Sequence, residues 1–233
     1  MKSIETITNH YGPLLAEKAL ALGAIRLQVQ NPFTWASGYR MPIYNDNRRL
    51  LASAEARALV CEAFAAMMES LQLDPDNIAG TATAGIPHAT TLADKLAKPM
   101  SYVRSSGKDH GLGQQIEGLG QSGSYEGANV LLIEDLISTG GSSIRAVQAI
   151  VDAQGNCPYT FAIFTYGFDA AVEAFAKLNP PCTFFTILDY DVMVQSALSH
   201  SYVTVEEAKL LSLWREDPFG WGTAHGFPPV GKE

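Results

Sequence analysis

Apolar and polar positions follow two different periods along the chain, and these periods predict the secondary structure. Pattern and composition predict helices at residues 3–22, 53–73, 86–96, 142–153, 169–178 and 204–214. Short apolar runs, several of them rich in β-branched or aromatic residues, predict strands at 24–28, 78–80, 100–104, 129–133, 159–165 and 182–188. Residues 31–47 and the tail from Pro218 have the prolines and glycines of irregular segments.

The alternation of strands and helices from residue 78 onward predicts the fold class. Such an order is typical of an α/β protein with a central, mostly parallel sheet flanked by helices. Sheets of this kind bind ligands in the loops at the carboxyl ends of their strands. Here those loops are predicted at 81–85, 105–127 and 134–141. We therefore expect the chemistry of the protein in these three segments.

Composition and charge narrow the classes of function. The 233 residues are 47% hydrophobic and 17% charged, which suits one large globular domain, with or without a small appendage. Sixteen Lys and Arg against 24 Asp and Glu give a net charge of −8, so we expect no broad nucleic-acid surface. No long uncharged apolar stretch or secretory signal is visible, so we expect no membrane partner. Three cysteines without a C-x-x-C pair predict reduced thiols in the cytoplasm.

The segment Val130–Ser143, VLLIEDLISTGGSS, is the most informative. A buried strand leads into two adjacent acids, Glu134 and Asp135, and then into glycines and hydroxyls before a helix. Exposed N–H groups at a helix start form an anion cradle. An ordinary strand–turn–helix with Ser142 as N-cap is the alternative, but acids beside a cradle favour a sugar phosphate as ligand. Neither a Walker A loop nor a dinucleotide fingerprint is present.

This segment resembles the 5-phosphoribosyl-1-diphosphate (PRPP) motif of type I phosphoribosyltransferases. The resemblance implies that the acids bind the ribose, that Thr139–Ser142 bind the 5-phosphate, and that Mg²⁺ bridges substrate oxygens without a dedicated protein metal site. It also implies a phosphoribosyltransferase core at 51–200, a base-side N-terminal hood at 1–50 and a C-terminal helix and tail at 201–233. The PRPP-binding residues so implied are Arg104, Lys108, His110, Glu134, Asp135, Leu136, Ile137, Ser138, Thr139, Gly140, Gly141 and Ser142.

Three further segments, 32–48, 80–88 and 102–111, resemble the orotate phosphoribosyltransferase branch of that family. The resemblance implies transfer of the phosphoribosyl group from PRPP to orotate, which gives orotidine 5′-phosphate and diphosphate in pyrimidine synthesis. It places Ser138 on orotate and makes Lys108, Glu134 and Asp135 catalytic. It also implies a homodimer in which the loop carrying Lys108 reaches the second subunit's active site.

The cationic residues of the 102–111 segment also have a chemical explanation that does not depend on the resemblance. Arg104, Lys108 and His110 lie within seven residues in a glycine-rich segment, where they can meet the charge that grows on a departing diphosphate. A solvated basic loop is the plainer alternative. The less favoured functions are a purine or uracil phosphoribosyltransferase and, in another class, a PRPP-binding regulator of transcription.

Some positions depart from the family pattern. Ala36 and Ser105 stand where some branches have lysine, and Phe164–Phe168 has no arginine where those branches place one for orotate. The group that meets the orotate carboxylate is therefore open among Arg40, Arg48 and backbone N–H groups. Trp35 is expected either to stack on the base or to fill the core, and His88 to be a surface or capping residue.

Overall fold

The computed structural model describes residues 2–35, 37–105 and 115–229. The helices are α1 (Ile4–Ala21), α2 (Ala54–Ser70), α3 (Gly85–Leu96), α4 (Gly141–Asp152), α5 (Asp169–Ala176), α6 (Tyr190–Ser199), α7 (Val205–Glu216) and α8 (Trp221–Ala224), with a 3-10 helix at Asn47–Ala52. The strands are β1 (Ile25–Leu27), β2 (Phe33–Thr34), β3 (Arg40–Met41), β4 (Ile43–Asn45), β5 (Asn77–Thr81), β6 (Met100–Val103), β7 (Ile116–Glu117), β8 (Asn129–Ile137), β9 (Asn156–Thr165) and β10 (Thr183–Asp189).

A six-stranded sheet forms the centre of the described chain, in the order β10-β9-β8-β5-β6-β7. All neighbouring strands are parallel except β6 and β7, which are antiparallel. Along β8, Leu131 and Ile133 enter one hydrophobic core, whereas Val130 and Leu132 enter the other. Because side chains alternate across a strand, both faces of the sheet are buried under helices. The predicted fold class, a mostly parallel α/β sheet flanked by helices, is confirmed.

The carboxyl ends of β5, β6 and β8 bring the predicted loops to one edge of the sheet, because these strands are parallel. The segment before α2 reaches the same edge: the Asn47 amide Nδ2 donates to the backbone oxygen of Asp135 at 2.7 Å. The end of β8 is thus in contact with an N-terminal segment that lies 88 positions away in sequence.

Several predicted boundaries were wrong. Residues 134–137 were expected in a loop, but β8 continues to Ile137 because Leu136 and Ile137 pair with β9. Helix α6 was not predicted; Asp189 ends β10 and also accepts the N–H of Val192 as the N-cap of α6, so no turn separates the two. The segments expected to be irregular contain short elements, namely β2–β4, β7 and α8.

The structure also shows the surroundings of Trp35 and His88. Trp35 is half-buried and packs against the core: its indole N–H donates to the carbonyl of Ile43 at 2.9 Å, and its ring lies on Tyr166 and Trp214. His88 is 3% exposed on α3, so the prediction of a surface or capping residue was wrong.

Cys61, Cys157 and Cys182 are buried free thiols. Within the described residues, no helix has the length and apolarity needed to cross a membrane.

Candidate active site

The two acids at the end of β8 have different environments. Glu134 is 4% exposed, and both of its carboxyl oxygens have protein partners. Oε1 accepts the hydroxyl of Thr81 at 2.5 Å and the N–H of Asp135 at 3.0 Å, and Oε2 accepts the hydroxyl of Ser143 at 3.1 Å. Asp135 is half-buried. Glu134 is therefore fixed by residues of β5 and α4, while Asp135 is the more accessible acid.

Burial raises the pKa of both acids. Burial, together with the negative charge of Asp135, raises the pKa of Glu134 from 4.5 to about 8. Burial also raises the pKa of Asp135, and the positive charge of Arg48 opposes that rise. Two adjacent carboxylates with little access to water cannot both ionise easily. Burial therefore favours the neutral form of Glu134, the more buried of the two acids.

The turn after β8 is built as an anion cradle. Gly140 has a φ of +83°, a left-handed conformation that glycine adopts without strain, and it is the N-cap residue of α4. Among the described residues no side chain caps this helix, so its first N–H groups have no side-chain partner there. Thr139, Gly141 and Ser142 are exposed around them. The alternative in which Ser142 serves as N-cap is not what the structure has.

Strand β9, the neighbour of β8, supports the residues just before the cradle. The hydroxyl of Thr165, on β9, donates to the backbone oxygen of Ile137 at 2.9 Å and accepts the N–H of Gly167 at 3.0 Å. Ile137 is fully buried and belongs to the core on the α4 side of the sheet. Among the implied PRPP-binding residues, Ile137 therefore contributes packing, and its side chain is not at the cavity surface.

A cavity of about 500 Å³ joins the acids, the cradle and the end of β6. Arg104 lines it, with its Nη1 atom 3.3 Å from a carboxylate oxygen of Glu117. Apart from Ile137, the other described residues implied by the PRPP motif also line it: Glu134, Asp135, Leu136, Ser138, Thr139, Gly140, Gly141 and Ser142. Lys108, His110 and Ala36 lie outside the described residues. The cavity has room for a charged sugar phosphate and offers acids, hydroxyls, N–H groups and two guanidinium groups, of Arg104 and Arg145, to it.

Four contacts around the site were not predicted from the sequence. Thr81 and Ser143 hold Glu134, Asn47 holds the Asp135 backbone, and Arg145 lines the cavity beside the cradle. Thr81 and Asn47 do lie in segments noted for their resemblance to the orotate branch. Their roles depend on contacts across 53 and 88 positions, which no local pattern specifies.

The cations considered for the orotate carboxylate lie in different places. Arg48 is exposed, and its Nε atom lies 2.6 Å from Asp46. The Nε atom of Arg40 is buried without a hydrogen bond in the described chain, and its guanidinium lies 5.8 Å from the ring centre of Phe227. Of the two, Arg48 is the one whose charge acts on Asp135.

Comparisons with known proteins agree with this geometry. Residues 47–167 match the family model described as a phosphoribosyl transferase domain. An orotate phosphoribosyltransferase of Bacillus caldolyticus is 44% identical over 209 residues, covering 90% of this chain and 98% of the relative. That of Cutibacterium acnes is 40% identical over 94% of this chain and all of the relative. The crystal structure of the Aeropyrum pernix enzyme of that name shares the fold, with a TM-score of 0.67 at 23% identity, over 82% of this chain and 99% of that one. This chain belongs to the phosphoribosyltransferase family, in its orotate phosphoribosyltransferase branch.

Proposed function

We propose that this protein transfers the 5-phosphoribosyl group from PRPP to orotate, forming orotidine 5′-phosphate and diphosphate in pyrimidine nucleotide synthesis. The observation that carries the proposal is the single cavity into which β8 and α4 bring an acidic pair and an open anion cradle. PRPP has the matching parts in one molecule, namely a pentose with hydroxyls, a 5-phosphate and a diphosphate on C1. The orotate-branch relatives supply the choice of base.

The acids have separate parts in this proposal. Asp135, the more accessible of the two, accepts hydrogen bonds from the ribose hydroxyls and offsets positive charge on the ring as the C1 bond breaks. Glu134 lines the same cavity, but its oxygens are engaged by Thr81, Ser143 and the Asp135 N–H. Glu134 therefore acts on the reaction mainly by fixing the position and charge of Asp135.

The cradle residues Thr139–Ser142 bind the 5-phosphate. Uncapped N–H groups at the start of α4 donate to phosphate oxygens, and the positive end of the helix dipole favours their charge. Leu136 and Ile137 position this turn through the end of β8. Binding energy at this end of PRPP helps to hold C1 in place for the reaction at the other end.

The diphosphate is the leaving group, and its charge increases in the transition state. Arg104 lines the same cavity and directly follows the last residue of β6. Lys108 and His110 follow in the same segment, and we propose that they complete the cationic surface, with Lys108 acting most strongly in the transition state. By the family resemblance, this loop serves the partner subunit's site, which would make the enzyme a functional homodimer.

Orotate lies on the other side of the ribose. Ser138 lines the cavity just before the cradle, and its hydroxyl is proposed to bond the base. For the orotate carboxylate we propose Arg48, because it is exposed and its charge acts on Asp135. Asn47, the residue next to Arg48, donates to the backbone oxygen of Asp135, which supports a base-side hood at residues 1–50.

We propose that Mg²⁺ binds at this site together with the substrate. In the described chain no cluster of three or more His, Cys, Asp or Glu side chains is arranged to hold a metal. Mg²⁺ keeps several waters and binds phosphate oxygens together with one or two carboxylates, so Asp135 with the substrate oxygens fits it. When bound, the ion would neutralise charge on the diphosphate.

We further propose a cytoplasmic location, since all three cysteines are free thiols.

The test is the loss of orotate absorbance when enzyme, PRPP and Mg²⁺ are mixed, with uracil and hypoxanthine as alternative acceptors. We expect turnover with orotate that depends on PRPP and on Mg²⁺. Preferred use of uracil or hypoxanthine would replace the base assignment. PRPP binding without transfer to any base would instead indicate a regulator.

A further inference from the structure

Arg145 lies beside the cradle and has no part in the function described so far. It is the fifth residue of α4, and side chains on a helix lean toward its N-terminus. Its Nη1 atom lies 3.6 Å from the position that a Cβ on Gly141 would occupy, and the side chain lines the 500 Å³ cavity. Its guanidinium is thus next to the turn that is open to an anion.

The charge of Arg145 is not used within the described part of the chain. The side chain is exposed, and it forms no hydrogen bond or ion pair with any other described residue. Arg104, the other arginine of the cavity, is in contact with Glu117. An unpaired guanidinium next to a nest of N–H groups adds a full charge and a planar donor fork to a site that otherwise offers dipoles and hydroxyls.

We propose that Arg145 binds the 5-phosphate of PRPP and thereby selects ribose that is phosphorylated at this position. This inference rests on the proposed function for its substrate. Hydrogen bonds to charged groups typically change affinity by about tenfold or more, so Arg145 should contribute on that scale to binding of the 5-phosphate. Because it touches no reacting atom, its contribution to binding should be nearly the same in the ground state and the transition state.

The two ends of PRPP can be tested separately on the full-length protein. Ribose 5-phosphate reports on the cradle, and inorganic diphosphate with Mg²⁺ reports on the leaving-group side; both can be titrated by calorimetry. The variants are Arg145→Gln, Arg145→Lys and, as the matched charge control, Lys209→Gln on the exposed face of α7. Thermal melting of each variant checks that the fold is intact.

We expect Arg145→Gln to weaken ribose 5-phosphate about tenfold while diphosphate binding stays within about twofold, and Arg145→Lys to restore part of the loss. KM for PRPP should rise with little change in kcat, and Lys209→Gln should behave as the unsubstituted protein. Unchanged ribose 5-phosphate binding in Arg145→Gln would overturn the proposal, as would a loss confined to diphosphate. If orotate were not consumed but ribose 5-phosphate binding still required Arg145, the proposed base would be wrong and this inference would stand.

Discussion

Replacing Glu134 by Gln tests whether the buried carboxyl is protonated in the folded protein. The substitution keeps the shape of the side chain, and an amide can accept from Thr81 and Asp135 while its NH₂ donates to the hydroxyl of Ser143. It removes the one property under test, which is the ability of position 134 to ionise. The prediction concerns how the free energy of unfolding changes with pH.

The size of the effect follows from the pKa shift. Glu134 has a pKa of about 8 when folded against an ordinary value of 4.5. A carboxyl whose pKa is raised on folding contributes stability that is fully present below the unfolded value and is lost as pH rises through the folded value. The difference corresponds to about 5 kcal/mol at most, at about 1.4 kcal/mol per pKa unit. Since Asp135 titrates together with Glu134 and retains part of the effect, we expect about 3 kcal/mol.

The measurement is urea unfolding of both proteins at several values between pH 5 and pH 8.5, without substrate. The stability of the unsubstituted protein should fall by about 3 kcal/mol more than that of Glu134→Gln over this range. Buried His88, whose pKa burial lowers to about 4, acts in the opposite direction but equally in both proteins, so it cancels. Parallel pH curves for the two proteins would refute the reasoning, because Glu134 would then be ionised in the fold. An infrared band of a protonated carboxyl, absent in the variant, is the independent check.

The remaining predictions concern catalysis. Arg48→Gln should raise KM for orotate about tenfold, with less effect on KM for PRPP. The control is Arg49→Gln, at a residue that donates to the carbonyl of Leu22 at the end of α1, and it should leave both KM values within about twofold. If the two variants raised KM for orotate equally, Arg48 would not be part of the base site. Lys108→Ala should lower kcat by about a hundredfold while the Kd for PRPP from calorimetry changes far less, and equal losses would contradict its role in the transition state. Mixed Lys108→Ala and Asp135→Ala subunits should recover part of the activity, unless the loop serves its own subunit.

The sequence was most informative where chemistry and secondary structure share one continuous segment. From Val130 to Ser143 a buried strand, two acids and a helix start follow one another, so local patterns alone predicted the acids and the cradle together. The parallel sheet was predictable for the same reason, because each strand and helix from residue 78 has its own periodicity. What local patterns missed was the length of β8, since its last residues are strand only through pairing with β9.

The partners of the acids could not be predicted, because they come from distant parts of the chain. Nothing in the neighbourhood of Thr81 indicates that its hydroxyl meets Glu134, 53 positions away. The bond from Asn47 to the Asp135 backbone likewise depends on how the segment before α2 reaches the edge of the sheet. These contacts decide which acid is fixed and which is accessible, so the different environments of the two adjacent carboxyls emerged only from the structure.

Glu134 links the parts of the active site that the substrate must span. Through Thr81 it holds the end of β5, through Ser143 it holds the first turn of α4, and through the Asp135 N–H it holds the acid proposed to bind ribose. Burial favours the neutral form of Glu134, which lowers the negative charge between the two regions proposed to bind phosphates. A second full charge there would repel both the 5-phosphate and the diphosphate. If the pH dependence of Glu134→Gln shows that Glu134 is protonated, that proton explains how an acidic pair and a polyanionic substrate share one cavity.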